Sequence, residues 1–450
     1  MSPQRARWAE RTHGPEVRAA LEADAGQFLH QSVSTPCLSV AARAYGPYVE
    51  DTEGRRYLDF HGNNVHHVGY GHPRVKAAIA RQMDELPFSP RRFACEPATA
   101  LAAKLADLAP GSLSKVLFTT GGSDAVEVAL KIARAATGRH KTVSFWDAFH
   151  GAGFGAASVG GEQLFRSHAA GPLLSGTEHV APFACYRCPY GYPEVGGRPR
   201  LELCRLTCAR FVRYVLEKEG DVGAVIAEPA RSVPYIPPPG FWQEVRAACD
   251  DQGALLIFDE IPTGLGKTGR MFACEHDAVV PDLLVMGKGL GGGILPIAAV
   301  LARPELDVMG AFAIGHYTHE KNPVTAAAGL ATIAIIEEEG LVEHAAELGA
   351  HALGRLEDLK HHHPVIGDVR GRGFLMGIEL VSSREGKEPA DDLAEDVFYR
   401  CLEAGLSFKV SMGNTLTLTP PLIVTAEQME FALGVLDRCI GEAARARGLA

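Results

Sequence analysis

The sequence has no excess of positive charge and no long hydrophobic run, and both absences exclude broad classes of protein. Its 450 residues include 44 Lys and Arg against 54 Asp and Glu, which gives a formal net charge of −10. Such a chain offers no general basic surface for nucleic acid. No stretch reaches the ~18 uninterrupted apolar residues that a membrane-spanning helix needs. We therefore expect no nucleic-acid partner and no membrane partner.

The N-terminal region also lacks a targeting signal. Arg5, Arg7, Arg11 and Arg18 are interspersed with acidic residues, and no apolar run of the signal-peptide type follows them. We expect a cytoplasmic location. Because 46% of the residues are hydrophobic, the chain can bury a large core. These properties favour a soluble enzyme without indicating its reaction.

What the sequence does contain is a lysine that an apolar strand delivers into a glycine-rich loop. Lys288 occupies this position in the segment Pro281–Gly293. A lysine in a desolvated pocket has a pKa below the usual ~10.4 and can condense with an aldehyde. Upstream, the apolar run that begins at Ala254 ends in Asp259. A buried carboxylate suits the charged partner that a pyridinium nitrogen requires, so the two motifs together suggest pyridoxal phosphate.

A third motif is suited to the phosphate of that cofactor. Leu113–Thr119 is predicted to be a short strand, Gly121, Gly122 and Ser123 to form a turn, and Ala125–Thr137 to be a helix. A helix N-terminus with free backbone N–H groups binds phosphate. An ordinary strand-turn-helix connection would show the same pattern, but the lysine motif favours the phosphate-binding interpretation.

Four segments in order resemble the class III, fold type I, pyridoxal-phosphate-dependent aminotransferases over nearly the whole chain. They are Thr120–Glu127, Phe149–Gly151, Phe258–Arg270 and Gly287–Gly293. The resemblance implies an α/β fold with a mainly parallel central sheet in a large domain, plus a small α+β domain formed by both termini. The alternation of apolar strands and amphipathic helices in the middle of the chain favours the same arrangement.

The predicted domain organisation follows from this resemblance and from the pattern of elements. Residues 1–71 are expected to be the N-terminal segment of the small domain, and residues 72–323 the large cofactor-binding domain. Residues 324–450 are expected to complete the small domain.

The resemblance also implies roles for individual residues. Lys288 would be the Schiff-base lysine and would move a proton between substrate and cofactor. Asp259 would keep the pyridine nitrogen protonated, and Phe149 would stack on the ring. Glu228 joins Lys288 and Asp259 in the implied catalytic set, and His150 joins the cofactor-binding set.

The implied phosphate contacts come from two places. Gly121, Gly122 and Ser123 would hold the phosphate from within one subunit. Thr318, in the segment Tyr317–Pro323, would reach the phosphate of the partner subunit. If so, the protein is a homodimer with shared active sites.

Two positions depart together from the family's usual pattern. Many members carry a glutamate that pairs with a C-terminal arginine, and this arginine binds the α-carboxylate of the keto acid. Here Val233 and Thr417 occupy those positions, and Pro262 replaces a glutamine that donates to the cofactor's phenolic oxygen. Because a buried arginine without its partner is costly, the joint replacement is physically coherent. We expect that an α-carboxylate is not recognised in the usual way.

Other residues are candidates for substrate binding. Arg231 lies three residues after Glu228, and Arg92 lies in a region that the family brings toward the entrance. Arginine suits carboxylate, phosphate or phosphonate, although each of these arginines could instead form a structural ion pair. Asn63 and Asn64 lie in a segment that the family's pattern places near the substrate entrance.

The predicted function is that of an aminotransferase moving an amino group from a small amine or amino acid to a keto acid. The alternative is an ammonia-lyase or phospho-lyase acting on a small aminophosphonate, such as 1-hydroxy-2-aminoethylphosphonate, or on phosphoethanolamine. His30–Cys37, Phe60–Val65 and Glu228–Ser232 resemble that branch of the fold. Racemase chemistry is a third alternative. A catalytically silent protein is disfavoured because Lys288 and Asp259 are both present.

Four of the ten cysteines lie in an insertion at about residues 183–210. Cys185 and Cys188 are separated by two residues, and Cys204 and Cys208 follow after fifteen more. This spacing resembles a structural Cys₄ zinc site. Free thiols and disulfides are the alternatives, and a cytosolic chain favours free thiols over disulfides.

Overall fold

The computed structural model describes residues 2–32, 34–167, 170–195 and 198–449. The α-helices are α1 (Pro3–Thr12), α2 (Pro15–Gln27), α3 (Pro73–Glu85), α4 (Glu96–Leu108), α5 (Gly122–Thr137), α6 (Phe154–Val159), α7 (Gln163–Arg166), α8 (Leu201–Cys204), α9 (Thr207–Glu219), α10 (Phe241–Gln252), α11 (Pro323–Glu338), α12 (Leu341–His362), α13 (Asp391–Glu403) and α14 (Ala426–Arg445). The strands are β1 (Ala41–Tyr45), β2 (Tyr48–Asp51), β3 (Arg56–Asp59), β4 (Lys115–Thr119), β5 (Lys141–Phe145), β6 (Thr177–Val180), β7 (Glu194–Val195), β8 (Arg198–Pro199), β9 (Val222–Ala227), β10 (Leu255–Asp259), β11 (Leu283–Met286), β12 (Ala298–Ala302), β13 (Ile366–Arg372), β14 (Leu375–Leu380), β15 (Leu406–Ser407), β16 (Lys409–Ser411) and β17 (Thr415–Leu418).

A seven-stranded sheet forms the centre of the molecule, in the order β4-β12-β11-β10-β9-β5-β6. The neighbours from β11 to β6 pair in parallel, and β12 runs antiparallel to both β11 and β4. Strands β9 to β12 are buried along their whole length, which is why they appear in the sequence as continuous apolar runs. The predicted α/β fold with a mainly parallel sheet is confirmed.

Both faces of this sheet are covered by helices. Alternate side chains along each buried strand point to opposite faces, so each face presents apolar side chains. Ile257 of β10 packs in a cluster with apolar residues of α5. Leu256 and Phe258 point the other way and pack in a cluster that includes Trp242 of α10. The helical spacing of apolar residues in α5 therefore places that helix on one face of the sheet.

The two ends of the chain meet in a second sheet. Its order is β1-β2-β3-β15, and β15 pairs in parallel with β3, with Leu406 opposite Leu58. A further antiparallel sheet, β13-β14-β17-β16, comes entirely from the C-terminal part. The structure thus confirms an α+β unit built from both termini, while the exact boundaries at residues 71 and 323 stay a prediction. None of the described helices combines the length and hydropathy needed to span a bilayer.

A buried lysine lies where the small and large parts meet. Lys267 is fully buried and donates a hydrogen bond to the carbonyl oxygen of Pro420 at 2.7 Å. Burial lowers the pKa of Lys267 to about 7, although the Asp59 carboxylate opposes this shift. The folded protein therefore holds this amine neutral at pH values where a solvated lysine is charged.

The free energy of unfolding should depend on pH through Lys267. Between the folded-state pKa of about 7 and the ordinary value of 10.5, the unfolded chain binds a proton that the folded chain lacks. The free energy of unfolding should therefore rise with pH in this window, by up to ~1.4 kcal/mol per pH unit. Lys267→Met removes this contribution. In denaturant titrations at pH 7, 8 and 9, the free energy of unfolding of the wild type minus that of the variant should therefore become more positive with each step in pH. A constant difference would mean that Lys267 stays charged in the folded state.

Candidate active site

The predicted site residues converge at the carboxyl ends of the parallel strands. Asp259 is the last residue of β10, and Lys288 follows β11, the strand beside it. Glu228 follows β9, and His150 lies beyond the end of β5. In open α/β sheets this edge is where ligands bind, since loops from adjacent strands meet there.

Asp259 is held by two hydrogen bonds in a buried position. Its Oδ1 accepts from the backbone N–H of Ile261 at 3.0 Å, and its Oδ2 accepts from Nδ1 of His150 at 2.8 Å. Both side chains are almost inaccessible to solvent. Nε2 of His150 is buried, and no partner for it is found among the described residues. The carboxylate is therefore fixed in orientation.

Lys288 opens a short 3₁₀ turn, Lys288–Gly291, and its backbone is left-handed with φ of 43°. Burial lowers the pKa of Lys288, the carboxylates of Asp259 and Glu228 oppose this, and the positive charge of Lys409 lowers it further. At Gly289 a Cβ atom would lie 2.4 Å from the ring of His67, so only glycine fits beside the lysine. The result is an amine with an increased neutral fraction, as a nucleophile requires.

The turn at Gly121, Gly122 and Ser123 leaves backbone N–H groups free. Helix α5 begins at Gly122, and none of the side chains that the structure describes caps its N-terminus. Ser123 Oγ accepts from the backbone N–H of Ala152 at 3.0 Å, which ties the turn to the His150 segment. Gly151 has φ of 133°, and a Cβ atom there would lie 2.4 Å from Ser123 Oγ. This uncapped helix end is suited to a phosphate group.

Phe149 lies beside this turn with 36% of its surface exposed. Its ring contacts the ring of Phe165, with centroids 4.4 Å apart. The rest of the ring is free to stack on a planar ligand.

Several buried polar atoms in this region have no protein partner. Besides His150 Nε2, the described residues offer none to Asn64 Oδ1, Glu228 Oε1 or Thr263 Oγ1. Unsatisfied buried polar atoms are rare in folded proteins, so a cluster of them indicates a polar ligand. A lysine of lowered pKa, a fixed carboxylate and an uncapped helix end together fit pyridoxal phosphate. When bound, that cofactor supplies an electron-accepting ring.

The comparison with protein families agrees with this geometry. A model of the family described as Aminotransferase class-III matches residues 30–440. The chain belongs to the class III aminotransferases. The resemblance inferred from the four motifs is confirmed, the protein is an enzyme, and the family implies pyridoxal phosphate as cofactor.

Relatives of this class III enzyme differ in the reaction that they catalyse. The chain is 43% identical over 449 residues to the (R)-1-hydroxy-2-aminoethylphosphonate ammonia-lyase of Vibrio splendidus, covering 98% of this chain and 94% of the relative. It is 37% identical to the leucine/methionine racemase of Thermococcus litoralis, covering 91% and 92%. A solved aminotransferase from Bacillus anthracis superposes with a TM-score of 0.87 at 31% identity, covering 96% and 100%. The family assignment is thus consistent with both predicted reactions, amino transfer and elimination.

The structure places Arg231 inside the protein and not on its surface. The residue is 4% exposed, and its Nη2 donates to Glu162 Oε1 at 2.6 Å. Nε and Nη1 of Arg231 are buried, with no partner among the described residues. Arg231 lines a small cavity with Glu228 and Trp146. Burial raises the pKa of Glu228, and the charge of Arg231 opposes that shift.

The other substrate candidates differ in exposure. Asn63 and Asn64 both have left-handed backbones, and Asn64 is buried while Asn63 is exposed. Arg92 and Thr318 are exposed. No contact found in the described ranges joins either of them to Lys288 of the same chain.

Sequence reasoning assigned no role to two residues near Lys288. Burial lowers the pKa of His61, and the positive charges of Lys409 and Lys288 contribute to the shift. Lys409 also acts on Lys288 itself. The family motifs gave no signal for Lys409, because its position depends on how β16 pairs with β17.

The four cysteines of the insertion line one small cavity. Within residues 2–32, 34–167, 170–195 and 198–449, no group of three or more His, Cys, Asp or Glu side chains is arranged to hold a metal ion. Burial raises the pKa values of Cys185 and Cys208 to about 12, which keeps these thiols neutral. Zinc would lower these pKa values on binding, so the zinc site at Cys185, Cys188, Cys204 and Cys208 stays a prediction.

Proposed function

We propose that this class III enzyme is an ammonia-lyase that acts on a small hydroxylated aminophosphonate of the 1-hydroxy-2-aminoethylphosphonate type. The observation that carries the proposal is Arg231, a buried arginine beside Glu228 with two nitrogens that have no partner among the described residues. This is the lyase alternative that the sequence analysis left open.

The usual means of recognising a keto acid is missing from the site. Thr417 is buried at the arginine's position, and its Oγ1 is 3.0 Å from Ser411 Oγ. Val233 is buried at the position of the arginine's glutamate partner. No cation at residue 417 is available to bind the α-carboxylate on which amino transfer depends in many family members.

Arg231 offers an anion contact at another point of the site. Its guanidinium has one nitrogen bonded to Glu162 and lies 5.5 Å from the ring centre of Tyr235. The two remaining nitrogens suit a tetrahedral anion, because arginine presents several donors in one plane. A phosphonate would satisfy donors that are otherwise buried without partners.

The named relatives support the same reaction. Identity to the aminophosphonate ammonia-lyase is 43% over 98% of the chain, against 37% over 91% for the leucine/methionine racemase. Identity alone does not fix a reaction, but here it agrees with the loss of the carboxylate contact.

The residues of the site have defined roles in this reaction. Lys288 would hold the cofactor and would then take a proton from the substrate carbon that carries the amino group. Hydroxide would leave the neighbouring carbon with that proton as water, and one water would later return to release ammonia, so the net products would be an aldehyde and ammonia. Asp259 would stabilise positive charge on the ring nitrogen, and Phe149 would stack on the ring. No keto acid is consumed.

Amino transfer is the second candidate. Its support is the likeness to solved transaminases, such as the Bacillus anthracis protein, in which the same fold carries amino transfer. Both reactions use Lys288 and Asp259 in the same positions. They differ in whether an amino acceptor is required.

We also propose a homodimer in the cytoplasm. Thr318 is exposed near Tyr317, whose carbonyl oxygen accepts a hydrogen bond from Arg91 at 3.1 Å. Exposed aromatic side chains, Phe93 at 66% and Phe312 at 71%, favour a subunit contact on this part of the surface. All ten cysteines are free, which fits a reducing compartment.

Ammonia release with and without a keto acid tests the proposed reaction. The panel contains 1-hydroxy-2-aminoethylphosphonate, phosphoethanolamine, ω-amines and amino acids, each with and without pyruvate or 2-oxoglutarate. We expect stoichiometric ammonia from the hydroxylated aminophosphonate without keto acid. Turnover only in the presence of a keto acid, with its amination, would instead establish the transaminase.

Replacing Arg231 tests the anion contact in the same assay. We expect Arg231→Met to lower kcat/KM for the aminophosphonate by about 100-fold, because a buried charged contact is lost. Arg213→Met is the matched control, since Arg213 pairs with Glu244 and Asp251 elsewhere on the protein. Equal effects of the two substitutions would argue against Arg231 as a substrate contact.

A further inference from the structure

Lys409 is a cation on the edge strand of the C-terminal sheet, directly opposite Thr417. Strand β16 pairs with β17 in antiparallel register, with Lys409 opposite Thr417 and Ser411 opposite Thr415. Residues directly opposite each other in an antiparallel pair project from the same face of the sheet. Lys409 therefore shares a face with the position at which many family members carry their carboxylate-binding arginine.

That face is directed toward the loop that follows Glu228. Thr417 is also opposite Gly377 of β14 on its other side. A Cβ atom on Gly377 would lie 3.0 Å from Cγ of Pro234, which follows Val233 in the chain. Three residues therefore form a row across the sheet: Gly377, Thr417 and Lys409. This row borders the segment of Val233, the residue at the position of the family's glutamate.

The same strands also border the His61 segment. The backbone N–H of Phe60 donates to the carbonyl oxygen of Ser407 at 2.7 Å, and the N–H of Thr419 donates to the carbonyl oxygen of Phe60 at 2.7 Å. Lys409 follows Ser407 by two residues and so lies close to His61. Its positive charge acts on both His61 and Lys288 and contributes to lowering the pKa of each.

Lys409 is exposed, and no ion pair or hydrogen bond of its side chain is found in the described part of the chain. An exposed ammonium group close to the catalytic lysine raises the pocket's affinity for anions. The ammonium group of Lys409 can attract an anion in several positions, because the lysine stem is flexible and its charge is compact.

We propose that Lys409 is an anion contact of the substrate pocket, replacing from the neighbouring strand the positive charge that Thr417 no longer supplies. The ligand class is an amine that carries a phosphonate or phosphate. The identity of this ligand rests on the proposed function. A doubly charged tetrahedral group can engage a lysine and an arginine at once, so Lys409 and Arg231 contribute separately to recognition.

Equilibrium binding to the cofactor-loaded enzyme tests this inference without turnover. The change in cofactor absorbance is titrated with 2-aminoethylphosphonate and, separately, with propylamine, a similar amine without charge on its far end. No keto acid is present. The proteins are wild type, Lys409→Met, Lys409→Arg and the control Lys218→Met, whose lysine lies over the ring of Tyr214 on α9.

We expect Lys409→Met to raise the Kd for 2-aminoethylphosphonate by about 10- to 100-fold and to leave that for propylamine within about twofold. Lys409→Arg should restore most of the affinity, and Lys218→Met should behave as wild type. Equal weakening of both amines, or no weakening of either, would overturn the inference. Unchanged absorbance of the unliganded variants shows that they are folded and loaded.

The result also separates this inference from the proposed function. If turnover requires a keto acid and aminates it, but Lys409→Met still loses affinity only for the charged amine, the lyase proposal fails and the anion contact stands. If ammonia is released without a keto acid but the charge-specific loss is absent, the lyase stands and the role of Lys409 is refuted.

Discussion

The Lys288→Ala variant is expected to lose turnover by on the order of 10⁴-fold and to lose the absorbance of the covalently bound cofactor. Lys288 is the amine held after β11 beside Asp259 and Glu228, and its lowered pKa fits its proposed role as the nucleophile of the site. Alanine can neither bind the cofactor covalently nor carry a proton. The measurements are an absorbance spectrum after cofactor loading and steady-state turnover with the best substrate of the panel.

Lys267→Met is the matched comparison for this variant. Lys267 is the other buried lysine of lowered pKa in this part of the protein, but its amine donates to a backbone carbonyl. We expect Lys267→Met to keep the cofactor absorbance. If Lys288→Ala retained either the absorbance or the turnover, the central assignment of Lys288 would be wrong.

The second large effect is expected for Asp259→Asn, at roughly 10³-fold in kcat. The carboxylate is oriented by His150 and by the backbone N–H of Ile261. An amide has almost the same shape but cannot stabilise a positive charge on the ring nitrogen, so the ring accepts electrons less well. Because the substrate does not contact this position, KM should change much less than kcat.

Asp282→Asn is the control that shows the effect of replacing a buried aspartate outside the site. Asp282 is also buried, and it forms ion pairs with Arg246 and Arg303 near the start of β11. This change should lower stability and leave the cofactor spectrum and kcat near wild type. A kcat for Asp259→Asn within tenfold of wild type would show that the ring nitrogen does not depend on this carboxylate.

Much of the site could be predicted because its residues follow local patterns. Asp259 and Lys288 end or follow short apolar runs, and parallel strands place their carboxyl ends at one edge of a sheet. The phosphate turn was predicted for the same reason, since strand, glycine pair and helix are adjacent in sequence. These features need no knowledge of distant contacts.

Other features depend on contacts between distant parts of the chain. Arg231 is buried and pairs with Glu162, which lies 69 residues earlier in the chain, and this contact could not be read from the residues around Arg231. Lys409 reaches the site through the register of β16 and β17 and through the pairing of β15 with β3. The cysteine spacing suggested zinc, and the structure brings the four cysteines around one cavity, but spacing does not determine whether their thiols are oriented to hold a metal ion.

Lys288 has a left-handed backbone, which lowers stability, and it is also the residue on which the proposed reaction depends. For a residue with a Cβ atom, this conformation costs about 1–2 kcal/mol, whereas glycine adopts it freely. On backbone conformation alone, glycine would be favoured at position 288, but a chain with glycine there would lack the amine of the site. A programme that evolves a more robust form of this enzyme should therefore screen for turnover at every round.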